Sequence, residues 1–361
     1  MKRLAQGSDS LGTWLDRAHA AISYRSHAIC EDLHAVLRRI MRFANPFNWK
    51  TSMATNGSTA APIPRRNYRS RYSQDILAAT AVAPPILLLL LFIGIPAVVL
   101  LATAFTDYSP GIEPEFLGWK NFATLFNSSV FYSILLRNIG YVIGVVSLQL
   151  LVALGIALIL DNELPYRRIW MALLIAPFAI SPVVGVVIWK NLLDPSYGLV
   201  NYAISSLGLP AVAWMSTPLT SMIAVVIVAV WRGFPFIAII LFAALRGIPT
   251  EVKEAARIDG ATSFQIFWHV KLPFIMPALS IMALFETIFA VREFDTIQTM
   301  TGGGPGTSTS LLSHYLYRTA FGTFRFGMGA AVGWVMLALT MLMAALIIWR
   351  AYRDMFPKNK A

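Results

Sequence analysis

Six long apolar segments follow one another along the chain, with shorter polar loops between them. The segments lie at about 77–105, 135–160, 169–191, 219–245, 272–295 and 326–350. Each is close to the roughly 20 residues that an α-helix needs to cross the hydrocarbon core of a bilayer. The pattern therefore predicts an all-α, polytopic membrane protein with six transmembrane helices.

Prolines interrupt two of these predicted spans. Pro177 and Pro182 fall in the third span, and Pro235 falls in the fourth. A proline inside a membrane helix frees a backbone carbonyl, which neighbouring helices or water in a cavity must then satisfy. We therefore expect both spans to be broken at these prolines and to face the interior of the helix bundle.

The composition excludes a set of soluble domains of the same length. Hydrophobic residues make up 57% of the 361 residues and charged residues only 13%, whereas soluble domains carry about 25% charged residues. The single cysteine, Cys30, also excludes a disulfide framework and a cysteine-based metal site. The sequence predicts no metal site of any kind.

The formal net charge of +11 raises the possibility of a nucleic-acid partner, but the positions of the basic residues give another explanation. Cytoplasmic loops of membrane proteins carry an excess of Lys and Arg. Here 22 of the 29 basic residues lie in alternate loops and both terminal regions, and the loops on the other side carry three. We therefore predict that both termini are cytoplasmic and that no nucleic acid binds.

Residues 1–76 are predicted to form a separate basic extension in the cytoplasm, partly an amphipathic helix and partly disordered, ahead of a transmembrane domain at 77–355. Apolar residues recur every three or four positions between Leu11 and Ile40, with arginines on the other face. Such a helix can lie on an anionic membrane surface. Alternatively, residues 1–52 precede a native start at Met53, and the sequence leaves both readings open.

The loop 246–273, RGIPTEVKEAARIDGATSFQIFWHVKLP, lies between the fourth and fifth spans on the predicted cytoplasmic side. Glu254, Ala255 and Ala256 fall in a helix-permissive run, which Gly260 interrupts before a second short helical stretch. Small side chains allow another surface to approach closely. The loop therefore predicts a compact helix–glycine–helix knob suited to docking a soluble partner.

The spacing of this loop resembles the coupling loop of ABC importer permeases: E-A-A, three residues, G, nine residues, then I-x-L-P, with Val270 in place of Ile. The runs LRGIP at 245–249, WRGFPF at 231–236 and TGGGP at 301–305 resemble the sugar-type branch of that family, which includes maltose and glycerol-phosphate permeases. The resemblance covers about 77–355. It implies the type I permease fold of ABC importers, in the bacterial inner membrane.

The resemblance also implies partners and a division of labour. These are a second homologous permease, two copies of a cytoplasmic ATPase, a periplasmic substrate-binding protein, a sugar substrate and membrane lipid. ATP and Mg would be bound by the ATPase, because this chain has no G-x-x-x-x-G-K-[ST] loop, and we expect no cofactor and no catalytic activity in it. The residues implied in coupling to the ATPase are Glu254, Ala255, Ala256, Asp259 and Gly260.

Ionisable residues within the spans mark the candidate path of the substrate, because charges in lipid are costly and tend to face a cavity. In the fourth span, Arg232 and Phe236 lie one helical turn apart. In the fifth span, four residues spaced at i, i+3, i+4 and i+7 fall on one predicted helix face: Glu286, Phe289, Ala290 and Glu293. With the maltose-type resemblance, the predicted substrate-binding residues are Arg232, Gly233, Phe236, Glu286, Phe289, Ala290 and Glu293. The relatives are neutral at the three charged positions, so Arg232 either contacts the substrate or pairs with a carboxylate.

The function predicted from the sequence is a permease subunit for a sugar or sugar derivative, such as an oligosaccharide, a glycoside or an anionic sugar. A permease for glycerol-phosphate-type or other polar solutes is the alternative. A proton-coupled secondary transporter is disfavoured because no clear internal repeat is visible. An intramembrane enzyme is disfavoured because the spans contain no histidine.

Overall fold

The computed structural model describes residues 80, 82–162 and 164–355. The predicted extension at 1–76, and the question of whether residues 1–52 are native, lie outside these ranges. The described part of the chain forms no β-strand, only an isolated bridge between Thr106 and Phe116. The prediction of an all-α fold is confirmed for these residues.

Helices of very different lengths follow one another in the described ranges. The short helices connect the long ones or lie across their ends. In chain order they are α1 (Val82–Ala104), α2 (Lys120–Phe126), α3 (Ser129–Asp161), α4 (Arg167–Ala179), α5 (Pro182–Leu192), α6 (Leu199–Ser206), α7 (Pro218–Arg246), α8 (Thr250–Ile258), α9 (Ser263–Val291), α10 (Asp295–Met300), α11 (Leu312–Tyr317) and α12 (Phe326–Met355).

Five of these helices, α1, α3, α7, α9 and α12, are each long and apolar enough to cross a membrane. The third predicted span is instead the pair α4 and α5, which meet at 99°. The break falls at Ser181, because the ring of Pro182 forces the preceding residue into an extended conformation. The predicted break was wrong for Pro177 and Pro235, which lie inside continuous helices.

The fifth span differs from its predicted bounds at both ends. Helix α9 begins at Ser263, well before the predicted start at 272, and ends at Val291, before the predicted end at 295. Its start is fixed by a capping box, in which the Thr262 side chain and backbone exchange hydrogen bonds with Gln265. A π-helical turn at Phe267–Lys271 then leads into the apolar part of the span.

The core of the bundle lies where α3, α7 and α9 pack together, with α5 and α12 against them. Alanines at the contact between α3 and α7, among them Ala153, Ala157 and Ala238, are fully buried and let the helices approach closely. Helix α1 packs against α12 and leaves a broad apolar surface exposed. Such a surface is typical of a segment that contacts lipid or another protein.

An ion pair joins the end of α3 to the π turn of α9. Lys271 Nζ lies 2.7 Å from Asp161 Oδ2, and the Asp161 side chain is almost completely buried. Because Lys271 lies in the π turn that leads into the apolar part of α9, this pair fixes the start of the fifth span to the end of the second.

Close packing of α12 against the loop after α1 depends on Gly327. A Cβ atom at this position would overlap the carbonyl oxygen of Thr106. That carbonyl cannot easily retreat, because it accepts a hydrogen bond from Asn121 Nδ2 at 2.7 Å. The absence of a side chain at 327 is therefore required by the backbone next to it.

We expect Gly327→Ala to cost about 1–3 kcal/mol, as overpacked cores generally do. The measurement is the thermal unfolding midpoint of the solubilised protein. The matched control is Gly322→Ala, where the new Cβ would meet only Arg318 Cβ, at 3.9 Å. Equal midpoints for the two variants would contradict this account of the packing.

Candidate functional site

A cavity of about 750 Å³ lies between α3, α7 and α9, beside the break that separates α4 from α5. All seven residues predicted to bind substrate line it: Arg232, Gly233, Phe236, Glu286, Phe289, Ala290 and Glu293. The structure thus brings residues of the fourth and fifth spans to one place. Their role in substrate binding stays a prediction.

Arg232 and Glu293 form an ion pair across the cavity wall. Arg232 Nη2 lies 2.7 Å from Glu293 Oε2, and the two side chains are 25% and 7% exposed. Glu293 Oε1 also accepts a hydrogen bond from the backbone N–H of Thr296 at 3.1 Å. The sequence left open whether Arg232 contacts the substrate or pairs with a carboxylate, and the structure pairs it with Glu293.

The helical face predicted for the fifth span is correct for three of its four residues. Glu286, Phe289 and Ala290 lie on α9 and line the cavity. Glu293 does not share that face, because α9 ends at Val291. The turn that follows brings the Glu293 side chain back toward α7, so the predicted proximity holds for a different geometric reason.

Glu286 is buried to 9% exposure on the cavity wall, and within the described ranges its carboxylate has no hydrogen-bond partner. Two residues of α3 that the sequence analysis missed lie beside it. Tyr141 and Gln149 line the same cavity, and the Tyr141 hydroxyl and Gln149 Oε1 are likewise buried without a partner. The amide of Gln149 within an apolar span is a signal that could have identified that residue.

Gly233 allows α3 and α7 to meet at the cavity. Gln149 Nε2 donates a hydrogen bond to the carbonyl oxygen of Ala229 at 3.0 Å. A Cβ atom at position 233 would overlap the Gln149 amide and would lie 3.4 Å from Glu286 Oε2. The missing side chain therefore leaves the Gln149 amide and the Glu286 carboxylate facing the same small space.

Aromatic rings supply much of the remaining cavity surface. Phe236 stacks on Phe178 with ring centroids 5.1 Å apart and an angle of 14° between the planes. Phe178 lies next to the break of the third span, and the sequence alone gave no reason to select it. Trp231 packs against Trp189 with ring centroids 5.7 Å apart and is not part of the cavity lining.

The predicted knob is present in the structure. Helix α8 contains Glu254, Ala255 and Ala256, Asp259 follows its end, and Gly260 adopts a φ of +77° before α9 begins. A positive φ is a conformation that glycine adopts without steric cost. The helix–glycine–helix order is therefore confirmed, and the assigned role in coupling stays a prediction.

The knob exposes apolar side chains that find no cover within the described chain. Ile258 is 86% exposed and Phe264 is 71% exposed, on either side of the turn at Gly260. Large apolar side chains clustered on a loop are typical of a docking surface for another protein.

The loop that carries the TGGGP run packs against the beginning of α3, at the end of that helix away from Asp161. Arg137 Nη1 donates hydrogen bonds to the carbonyl oxygens of Thr307 and Ser310, at 2.6 and 3.2 Å. His314, fully buried, is 2.7 Å from Ser310 Oγ through its Nδ1. Burial, and to a lesser extent the charge of Arg318, lower the pKa of the His314 imidazole, which favours its neutral form.

Comparison with known proteins defines the class to which this fold and cavity belong. The family of binding-protein-dependent transport system inner membrane components matches residues 122–351. The chain belongs to this family and is a multi-pass permease subunit of the inner membrane. Members of the family are transport subunits without catalytic activity of their own.

Individual relatives agree with this assignment. The trehalose/maltose transport system permease protein MalF of Thermococcus litoralis is 32% identical over 288 residues, 79% of this chain and 97% of the relative. The sulfoquinovosyl glycerol transport system permease protein SmoG of Agrobacterium fabrum is 32% identical, over 76% of this chain and 89% of the relative. The prediction of an ABC importer permease is confirmed.

A solved structure confirms the fold. A chain of a bacterial ABC transporter that imports the acidic polysaccharide alginate aligns with a TM-score of 0.66 and 24% identity. The alignment covers 79% of this chain and 98% of that one. The type I permease fold expected from the sequence is therefore the fold of the described residues.

Proposed function

We propose that this chain is one of two permease subunits in an ABC importer for a sugar or sugar derivative, and that the cavity between α3, α7 and α9 is part of its path. The observation that carries the proposal is the meeting of all seven predicted residues in that one cavity. The relatives named for trehalose/maltose and for sulfoquinovosyl glycerol support the substrate class.

The chemistry of the cavity suits a sugar. Sugars combine apolar ring faces with many hydroxyl groups. The exposed ring of Phe289 and the partly buried ring of Phe236 offer surfaces for the ring face. Oxygens of Glu286 and Gln149 can accept hydrogen bonds from the hydroxyls. A mixed apolar and polar wall of this kind is typical of small-molecule sites.

We propose further that the knob docks on a cytoplasmic ATPase subunit, which would bind ATP and Mg. The exposed Ile258 and Phe264 would be covered by the groove of that subunit. Motion of the knob would reach the bundle through the Asp161–Lys271 ion pair, because this pair fixes the beginning of α9 to α3. A periplasmic binding protein would deliver the sugar at the opposite side.

The proposed path can be tested by blocking it. In a Cys30→Ser background, we expect labelling of Phe289→Cys with a bulky methanethiosulfonate to reduce uptake at least about tenfold, since the side chain is exposed on the cavity wall. The measurement is ATP-driven uptake, in proteoliposomes, of the sugar that a thermal-shift screen identifies for the binding protein.

The matched control is Leu209→Cys, an exposed position in the loop between α6 and α7 and outside the cavity lining. Labelling there is expected to leave uptake unchanged. If the labelled Phe289→Cys protein transports as well as the labelled control, the cavity is not the path.

A further inference from the structure

The polar atoms that face the cavity without a partner are mainly hydrogen-bond acceptors. Glu286, Tyr141 and Gln149 are all more than nine-tenths buried. The Tyr141 hydroxyl and Gln149 Oε1 are buried without a hydrogen-bond partner in the described part of the chain. The Glu286 carboxylate lines the same cavity and accepts no hydrogen bond there. A buried acceptor that finds no donor in the protein costs about 1–3 kcal/mol, so a donor from the substrate would be favoured here.

The cationic group in the same wall is already engaged. Arg232 is held at 2.7 Å by Glu293, and Glu293 is further fixed by the backbone N–H of Thr296. An anionic substrate would have to compete with a buried carboxylate for this guanidinium. Arg232 is thus poorly placed to recognise an anionic group.

The formal charges along the cavity wall also disfavour an anion. The lining contains two cations, Arg232 and Arg292, and three carboxylates, Glu286, Glu293 and Asp295. With Arg232 and Glu293 paired, Glu286 is the most deeply buried carboxyl group left, because Arg292 is exposed. The lining therefore offers an anion no buried cation that lacks a carboxylate partner.

Gly233 makes the Glu286 carboxylate accessible. A Cβ atom at position 233 would lie 3.4 Å from Glu286 Oε2, so the absence of a side chain there leaves space beside the carboxylate. The stacked rings of Phe178 and Phe236 line the same cavity and can hold the apolar face of a sugar ring. A substrate seated on these rings would present its edge groups to the acceptors.

We propose that Glu286 is a specificity-determining residue that accepts hydrogen bonds from hydroxyl or ammonium groups of the substrate, so that this cavity takes neutral or amino sugars and rejects anionic ones. The inference rests on the proposed function, because it requires the cavity to contact the sugar. It assigns Arg232 to holding α7 against the turn after α9, through Glu293.

The test uses three methyl glucosides that differ only at C6: the 6-amino-6-deoxy compound, the parent hydroxyl compound and the uronate. Binding of each is titrated to the complete importer in nanodiscs without its binding protein, so that only the membrane subunits select. We expect the amine and the neutral glucoside to bind at least about tenfold more tightly than the uronate, the effect of one charged hydrogen bond.

Two nearly isosteric variants separate the roles of the carboxylates. Glu286→Gln is expected to reduce the preference for the amine over the uronate about tenfold, because an acceptor oxygen of the carboxyl group is replaced by an amide donor while the shape is kept. Glu293→Gln releases Arg232 from its charged partner. It is therefore expected to raise the affinity for the uronate.

The proposal is overturned if the wild-type importer binds the uronate as tightly as the other two glucosides. It is also overturned if the wild-type importer binds none of the three. A Glu286→Gln variant with unchanged preference overturns it as well. Failure of this proposal is distinguishable from failure of the proposed path, because labelled Phe289→Cys protein would still lose uptake in the first case and would retain it in the second.

Discussion

Replacing Gly260 by valine is expected to reduce transport at least about tenfold, since a β-branched residue held at positive φ costs on the order of 1–3 kcal/mol. Gly260 has a φ of +77° and forms the turn between α8 and α9. Relief of the strain would reorient α8 relative to α9 and shift the exposed Ile258 relative to the exposed Phe264. Uptake into proteoliposomes and ATP hydrolysis stimulated by the binding protein are the measurements, and the binding protein's own affinity for sugar should not change.

Gly208 provides a closely matched control. Its φ is +78°, and a Cβ atom at either glycine would have no heavy atom within 4 Å. The same valine substitution therefore imposes the same local strain, but in the loop between α6 and α7. Equal loss of transport in Gly208→Val and Gly260→Val would mean that the knob has no special role in coupling.

Removing the guanidinium of Arg232 is expected to produce the largest loss of stability, about 3–5 kcal/mol, because a buried carboxylate is left without its partner. The Glu293 side chain is only 7% exposed. In Arg232→Leu, the backbone N–H of Thr296 is the one hydrogen-bond donor left to its carboxylate within the described residues. The measurement is the thermal unfolding midpoint of the complex in detergent. Unfolding is monitored by aggregation, a signal that does not depend on substrate binding.

The control for this variant lies in the same cavity wall. Arg292→Leu removes an exposed arginine that forms no ion pair within the described ranges, and it should change the midpoint little. The double variant Arg232→Leu/Glu293→Leu should recover most of the loss, because both charges are then gone. A midpoint for Arg232→Leu equal to that of Arg292→Leu would refute the structural role of the pair.

The long helices of this fold were predictable because membrane spans are specified by a single local property, their apolar length. Local chemistry also predicted the knob, where Gly260 marks a turn. The start of α9 was missed because the sequence indicated a second short helical stretch in the loop but gave no sign that it continues without a break into the span at Leu272. Pro235 was misread because the packing of α3 against α7 keeps that helix continuous.

The candidate site was predictable only where charge made residues conspicuous. Arg232, Glu286 and Glu293 stand out in apolar spans, and the family motif added Gly233 and Phe236. Which carboxylate pairs with Arg232 depends on where α9 ends, a tertiary property. Tyr141 and Phe178 have no local signal, because their place beside the cavity arises only when α3 and the broken span pack around it.

The break at Ser181 has a consequence for how the protein enters the membrane. At 1.5 Å per residue, α4 and α5 are about 20 and 17 Å long, and neither can cross a hydrocarbon core of about 30 Å alone. The polar backbone freed at the break has to be satisfied by neighbouring helices, and both α4 and α5 pack against α7. We therefore expect stable insertion of the third span to depend on α7, a later part of the chain.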